Sequence, residues 1–176
     1  LDVINNDNNG PILEILHYYL EDLSEITITN LFYIVQLLNK IEGFSILENN
    51  NIINYLYNYY SKNNYDELSG IELSMLITLY YSADLDVDES VNKLYHILNN
   101  SKNLMEIAYT YACLDSIDKD FENKINKEII IESLARFINS KGYYISLDSQ
   151  VNTVYSTYLG IVLHENINNS RKIEIF

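Results

Sequence analysis

The chain is poor in the residues that build disulfide scaffolds, tight turns and membrane spans. Its 176 residues include no tryptophan, one cysteine (Cys113), one proline (Pro11) and five glycines. A single cysteine excludes an internal disulfide, and so few turn residues argue against a fold of many short strands. No apolar run approaches the ~20 residues that a membrane-spanning helix needs, so we expect a soluble chain with no retained signal or transmembrane segment. Because it begins with Leu1, we interpret it as a processed or truncated product, and its compartment stays open.

Basic residues are also scarce, with 11 Lys and Arg against 25 Asp and Glu and a net charge of −14. A field of that sign repels phosphate backbones and anionic headgroups, which argues against nucleic acid and membrane surfaces as partners. It is compatible with a basic protein patch or a bound cation. Hydrophobic residues make up 48% of the chain, enough for one core in one domain.

What the chain does contain is a repeat. Outer segments begin near Pro11, Asn49, Val87 and Asn126, at spacings of 38, 38 and 39 residues. A more apolar inner segment follows each of them: Thr29–Ile41, Gly70–Ser82, Lys102–Ile117 and Gln150–His164. Gly43 lies just past the end of the first, where we expect a left-handed cap. A fixed period of this size predicts stacked αα-hairpins. We therefore expect an all-α fold of about eight helices in four hairpins over residues 11–165, between a loose arm (1–10) and a tail (166–176).

The two classes of helix differ in their apolar pattern. Each outer segment carries one apolar stripe, such as Ile12, Ile15, Leu16, Tyr19, Leu20 and Leu23 in the first. We expect the fourth to run from Asn126 to Ser140 and to face Ile138 inward. The inner segments are apolar on nearly every side, which predicts burial on most faces. This difference favours two layers, inner and outer, in a partial α/α toroid, with a linear α-solenoid as the alternative.

The last repeat carries the sequence Gly142-Tyr143 before an inner helix with Tyr155-Ser156-Thr157-Tyr158. This resembles the repeat of the protein prenyltransferase and terpenoid (squalene) cyclase superfamily, whose outer helix ends in a Gly–aromatic turn. A weaker copy is Ala108–Leu114. The resemblance implies an α/α toroid whose inner helices surround a central cavity, and an isoprenoid as substrate of an enzyme or enzyme subunit.

None of the family's catalytic residues carries over to this chain. The zinc-binding Asp-x-Cys order is reversed here, as Cys113 followed by Asp115, and no histidine occupies a matching position. Four hairpins are also fewer than the roughly six of a complete toroid of this family. The enzyme interpretation is therefore our alternative, and we lean towards a protein without catalytic activity.

If the toroid prediction holds, the N-terminal ends of the inner helices ring one mouth of the cavity. Ligand-binding candidates at that mouth are Glu72, Glu106, Tyr109, Asn152 and Tyr155. Asp84, Asp86 and Asp88 alternate before the third outer helix, as carboxylates that converge on a hard cation such as calcium do. An EF-hand is excluded because positions six and twelve hold Glu89 and Tyr95. We expect helix capping there first and a divalent cation second, with no other cofactor.

The remaining reactive residues have plainer interpretations. His17, His96 and His164 lie on three different helices without metal-ligand spacing, and we interpret Cys113 as a small buried hydrophobe. We expect Asp118–Ile125 to be a charged loop, and we interpret its acidic patch as solvated: Asp115, Asp118, Asp120 and Glu122. Tyrosines occur in pairs and clusters, and we interpret most of them as core and boundary residues and the rest as interface or cavity lining: Tyr18, Tyr19, Tyr55, Tyr57, Tyr59, Tyr60, Tyr80, Tyr81, Tyr143 and Tyr144.

The sequence thus favours a non-catalytic repeat domain that binds a protein partner or another part of its parent chain. A stack of repeats needs polar caps at its two ends, so an apolar face on a terminal hairpin predicts a partner that covers it. A small hydrophobic-ligand or glycan binder is the third possibility.

Overall fold

A computed structural model describes residues 10–62 and 65–169, and within them the all-α prediction is confirmed. The predicted arm, apart from Gly10, and the tail from residue 170 lie outside the described residues. None of the described helices is long and apolar enough to cross a bilayer. The helices are α1 (Gly10–Glu21), α2 (Ile28–Glu42), α3 (Asn50–Lys62), α4 (Gly70–Ser82), α5 (Asp88–Asn100), α6 (Leu104–Ile117), α7 (Phe121–Lys124), α8 (Lys127–Ala135) and α9 (Val154–Asn169).

Local signals set the ends of α2, which begins one residue before the predicted Thr29 and ends one residue after the predicted Ile41. The Thr27 side chain accepts a hydrogen bond from the backbone N–H of Asn30, which caps the N-terminus. Gly43 ends the helix with φ of 72°, a left-handed conformation that glycine adopts without steric cost. Its N–H donates to the Asn39 carbonyl at 2.9 Å, so an otherwise unpaired C-terminal acceptor is satisfied.

The chain forms two compact units. Unit 1 comprises Leu1–Glu67 and Leu79–Asp86, and unit 2 comprises Leu68–Thr78 and Val87–Phe176. In unit 1, α1 packs against α2 and α3. Its core includes the fully buried Leu31, Phe32 and Leu38 of α2. The single-domain boundaries inferred from the sequence stay a prediction.

Unit 2 contains two hairpins whose helices of the same class are neighbours. The outer helix α5 packs on the inner helix α6, and α8 packs on α9. Between these pairs, α5 contacts α8, both predicted as outer helices, and α6 contacts α9, both predicted as inner helices. Helix α6 is buried on every face, with ten buried residues in its fourteen.

The fourth outer helix is shorter than predicted. We expected it to reach Ser140, but α8 ends at Ala135 and a hairpin of β1 (Ile138–Asn139) and β2 (Gly142–Tyr143) follows. The Asn139 side chain accepts from the Lys141 N–H at 2.7 Å, a local bond that competes with helix. Ile138, predicted to face inward, is 44% exposed.

The last helix and the acidic loop also differ from the prediction, and α9 extends to Asn169, into the predicted tail. Helix α9 begins at Val154 rather than Gln150, because Gln150 adopts a φ of 49° in a turn closed by its own N–H to the Ser146 carbonyl. The acidic loop predicted for 118–125 contains the short helix α7. There Phe121 is buried and packs edge-on against Tyr111, with ring centroids 4.9 Å apart.

Candidate interaction groove

The two glutamates predicted at the cavity mouth serve as helix caps. Glu72 accepts from both the N–H and the hydroxyl of Ser69, while the Ser69 Oγ accepts from the Glu72 N–H at 3.2 Å. This reciprocal arrangement is a capping box at the start of α4. Glu106 accepts from the N–H of Gly70 at 3.2 Å and from the hydroxyl of Ser101 at 2.6 Å. Both carboxylates therefore satisfy donors at helix ends.

The other three predicted mouth residues have three different environments. Tyr109 is 4% exposed and lies in the core of unit 2. The Asn152 side-chain oxygen accepts from the Asn139 amide at 3.0 Å, which ties the hairpin to the start of α9. Tyr155 is 44% exposed, and the other four predicted mouth residues are buried or half-buried. Their role in ligand binding stays a prediction.

The predicted cation site falls on the turn after α4. Asp84 has a φ of 56°, and its N–H donates to the Tyr81 carbonyl, so it belongs to a helix-terminating turn. The Asp88 side chain lies outside the described side chains. Among the described residues, no group of three or more His, Cys, Asp or Glu side chains is placed to hold a metal ion. The cation site with Asp84, Asp86 and Asp88, and the isoprenoid enzyme that would need such a site, stay predictions.

The loop predicted to be solvated carries an ordered ion pair. Asp118 accepts from the Lys124 ammonium at 2.7 Å and from the Tyr95 hydroxyl at 2.9 Å. The bond from Lys124 is the main cause that lowers the pKa of Asp118. Burial, followed by the bond to Asp118, raises the pKa of Tyr95. The expectation that this loop is solvated is wrong at Asp118, because its carboxylate accepts hydrogen bonds from Lys124 of α7 and from Tyr95 of α5.

The reactive side chains of the helices have structural partners. Cys113 is 3% exposed, its Sγ accepts from the Thr78 hydroxyl, and burial raises the pKa of the thiol to about 12. Its interpretation as a small buried hydrophobe is confirmed. His17 bonds Glu42 at 2.7 Å, and the His164 ring lies 3.4 Å from the Tyr143 hydroxyl.

Unit 1 contains a groove that none of the capping residues described above lines. It has a volume of about 850 Å³ and lies between the C-terminal half of α1, the α1–α2 connection and one face of α2. We call it the α1–α2 groove. Its apolar lining includes Tyr18, Tyr19, Tyr33 and Leu37. These side chains are exposed by 71, 53, 41 and 46% respectively, so the groove presents a tyrosine-rich surface to solvent.

Helix α1 buries only part of its apolar stripe, and the exposed part includes Tyr19, which lines the groove. Leu16 and Leu20 are buried, whereas Ile12, Ile15 and Tyr19 are 49, 58 and 53% exposed. The predicted single inward stripe of α1 is therefore wrong for these three residues. The sequence signal for this exposed surface is the helical spacing of residues 12, 15 and 19, which run alongside the buried Leu16 and Leu20.

All the charged residues that line the groove are acidic. Glu21, Asp22 and Glu25 line the end formed by the α1–α2 connection, and none of the groove's lining residues is basic. Asp22 accepts from the Ser24 N–H at 2.9 Å, and this bond lowers the pKa of its carboxyl. The carboxylates and tyrosines together suit a ligand that is apolar along its length and positive at one end. Searches with the chain match no protein-family model, no curated protein and no solved structure.

Proposed function

We propose that this chain is a non-catalytic αα-hairpin repeat domain, of the partial-toroid type, that binds a protein partner or another part of its parent chain in the α1–α2 groove. The observation that carries the proposal is the exposed lining of Tyr18, Tyr19, Tyr33 and Leu37. Tyrosine offers a broad apolar contact with a polar tip at a low cost in side-chain entropy, and it is enriched in protein interfaces. Leu37 supplies an aliphatic contact on α2 beside the rings.

The acidic end of the groove selects among partners. Glu21, Asp22 and Glu25 attract Lys or Arg and repel acidic segments, which affects the association rate and the specificity more than the raw affinity. The partner segment is therefore an amphipathic one, with apolar anchors along the groove and basic residues where it meets the α1–α2 connection. Charge pairs of this exposed kind weaken as salt rises.

The absence of tryptophan gives a direct binding assay. Peptides with a single Trp among apolar residues, flanked either by Lys and Arg or by Glu, are excited selectively, and their fluorescence reports binding to this Trp-free chain. We expect the basic peptides to bind at least about tenfold more tightly than the acidic ones, and their affinity to fall with added salt.

Matched variants locate the site. Tyr18→Ser and Leu37→Ser change exposed groove residues and should each weaken peptide binding about 5–30-fold, whereas Tyr57→Ser changes an equally exposed tyrosine of α3 outside the groove. Glu21→Gln with Glu25→Gln should reduce the preference for basic peptides. The proposal fails if basic and acidic peptides bind alike, or if Tyr57→Ser weakens binding as much as Tyr18→Ser.

A small glycan or hydrophobic ligand is the second candidate for the same groove. Its volume of about 850 Å³ is within the range of small-molecule sites, and Asn30 adds an amide to the tyrosines and carboxylates of the lining. Ligands that bind the folded chain raise its melting temperature. An oligosaccharide that does so in the wild type and in Tyr57→Ser, but not in Tyr18→Ser, would favour this candidate over the peptide.

A further inference from the structure

Unit 2 has an apolar surface of its own on α9 and the residues just before it. Val151, Val154, Tyr158 and Ile161 are 52, 91, 55 and 47% exposed. The last three follow one another at spacings of four and three residues, so they lie on one face of the helix. We call these four residues the α9 stripe. The opposite face of α9 is buried, with Leu159, Leu163 and Ile167 at 1% each.

The preceding inner helix lacks such an exposed stripe. When Thr157-Tyr158 is aligned with Thr110-Tyr111, the residues of the α9 stripe correspond to the following positions of α6: Leu104, Ile107, Tyr111 and Leu114. Each of these is at most 1% exposed. Helix α6 contacts α5, α7 and α9, and α9 contacts α6, α8 and β2. The α9 stripe is the face on which a further helix would lie.

The stripe is also the least charged part of an acidic chain. No Asp, Glu, Lys or Arg occurs between Ser149 and His164, although the whole chain carries a net charge of −14. A basic segment such as the one inferred for the α1–α2 groove would find no carboxylate to pair with between Ser149 and His164. A second copy of this chain can approach at this segment with the least repulsion.

We propose that the α9 stripe is a self-association surface on which two copies pack α9 against α9, antiparallel and related by a two-fold axis near Tyr158. In this register Tyr158 meets Tyr158 of the second copy, and Val154 meets Ile161 of the second copy. Glu165 of the two copies would lie fourteen residues apart along the helices, about 21 Å at 1.5 Å per residue. That separation is about twice the screening length at physiological salt, so their repulsion is small.

The exposed area of the α9 stripe indicates how tightly two copies should associate. With ordinary side-chain areas, the four residues and the adjacent exposed Tyr155 present roughly 500 Å² per copy, or about 1,000 Å² in total. Specific stable interfaces bury about 1,200–2,000 Å², so this contact is at the weak end. We expect dissociation in the range of tens to hundreds of micromolar, and association that persists as salt is added, because the contact is apolar.

Sedimentation equilibrium of the full chain tests the proposal. The mass should rise from 20.5 kDa for one copy towards about twice that value as the concentration increases from about 10 μM to about 1 mM. Tyr158→Lys places two like charges at the two-fold axis and should weaken association at least about tenfold. The lysine replaces a half-exposed ring, and circular dichroism checks that the fold is retained.

A charge swap tests the register. Val154→Lys and Ile161→Glu should each dimerise more weakly than the wild type. Mixing the two variants should restore association, because the lysine introduced in one copy then meets the glutamate introduced in the other. The control Tyr18→Lys lies in the α1–α2 groove and should leave self-association unchanged while it alters peptide binding. A monomer at about 1 mM, dimerisation unaffected by Tyr158→Lys, or a mixture no tighter than either variant alone would overturn the proposal, whether or not the groove binds its peptide.

Discussion

Substitution of Gly160 by alanine should destabilise the protein, although the same change in an ordinary helix interior stabilises it. Gly160 lies in α9, where its missing side chain admits the ring of Tyr143. A Cβ built on Gly160 overlaps Cγ and Cδ1 of that ring and lies 2.6 Å from Cδ2. Helix propensity alone favours alanine over glycine by about 1 kcal/mol.

The ring cannot move aside freely, because α9 holds the backbone of Tyr143 on both sides. Its N–H donates to the Thr157 hydroxyl at 3.2 Å, and its carbonyl accepts from the Ser156 hydroxyl at 2.7 Å. Tyr143 is also 7% exposed, so the displaced ring has little room. Overpacking costs about 1–3 kcal/mol. A Cβ this close to three atoms of one ring belongs in the upper part of that range, about 2–3 kcal/mol, which exceeds the gain in propensity. We expect a net loss of about 1–2 kcal/mol and a melting temperature lower by about 2–8 °C.

Thermal and urea unfolding followed by far-ultraviolet circular dichroism measure this effect. Gly10→Ala is the control, since a Cβ at the start of α1 meets no atom within 4 Å and its effect should stay within about 0.5 kcal/mol. In a Tyr143→Leu background, Gly160→Ala should cost at least about 1 kcal/mol less. A Gly160→Ala protein as stable as the wild type, or more stable, would refute the close packing of the Gly–aromatic turn on α9.

Three further predictions concern buried or capping groups. With a thiol pKa of about 12, buried Cys113 should react with iodoacetamide at least about tenfold faster after unfolding in urea, and equal rates would contradict its burial. Asn126→Ala removes the acceptor of two N–H groups in the first turn of α8 and should lower the free energy of unfolding by about 1 kcal/mol; an unchanged urea midpoint would contradict this role. The pKa of Asp118 is lowered from its ordinary 3.8, so its stabilisation is present above about pH 4 and is lost as the pH falls through the lowered value. The stability gap between wild type and Asp118→Asn should therefore shrink between about pH 6 and about pH 2, and a constant gap would contradict the bond to Lys124.

Sequence patterns predicted the elements that local chemistry determines. Pro11 and Gly43 mark the start of α1 and the end of α2 because each favours one backbone conformation at a helix end. The bounds of α4 were predicted to the residue from its apolar pattern. The capping box of Ser69 and Glu72, which the prediction did not use, fixes its start.

The predictions failed where a tertiary contact or a turn outweighs the apolar pattern. The stripe of α8 continues in sequence through Ile138, but Asn139 and Gly142 form a turn and the chain reverses into a hairpin. Phe121 was assigned to a solvated loop because its neighbours are charged, and only its packing on Tyr111 shows that it is core. The mouth residues Glu72 and Glu106 were chosen as carboxylates near inner-helix ends, a position where a carboxylate also serves as a cap.

The groove was harder to predict because composition does not reveal which inner helices lack a neighbour. Helices α2, α6 and α9 are all rich in apolar residues, yet α6 is buried on every face while α2 exposes Tyr33 and Leu37 and α9 exposes Tyr158 and Ile161. An exposed apolar stripe lowers solubility unless another protein surface covers it, and repeat stacks ordinarily end in polar caps. The first and last inner helices of this chain lack such a cap among the described residues. Their surroundings differ in charge, acidic beside α2 and uncharged along the α9 stripe, which is why one surface suits a basic segment and the other a second copy of the chain.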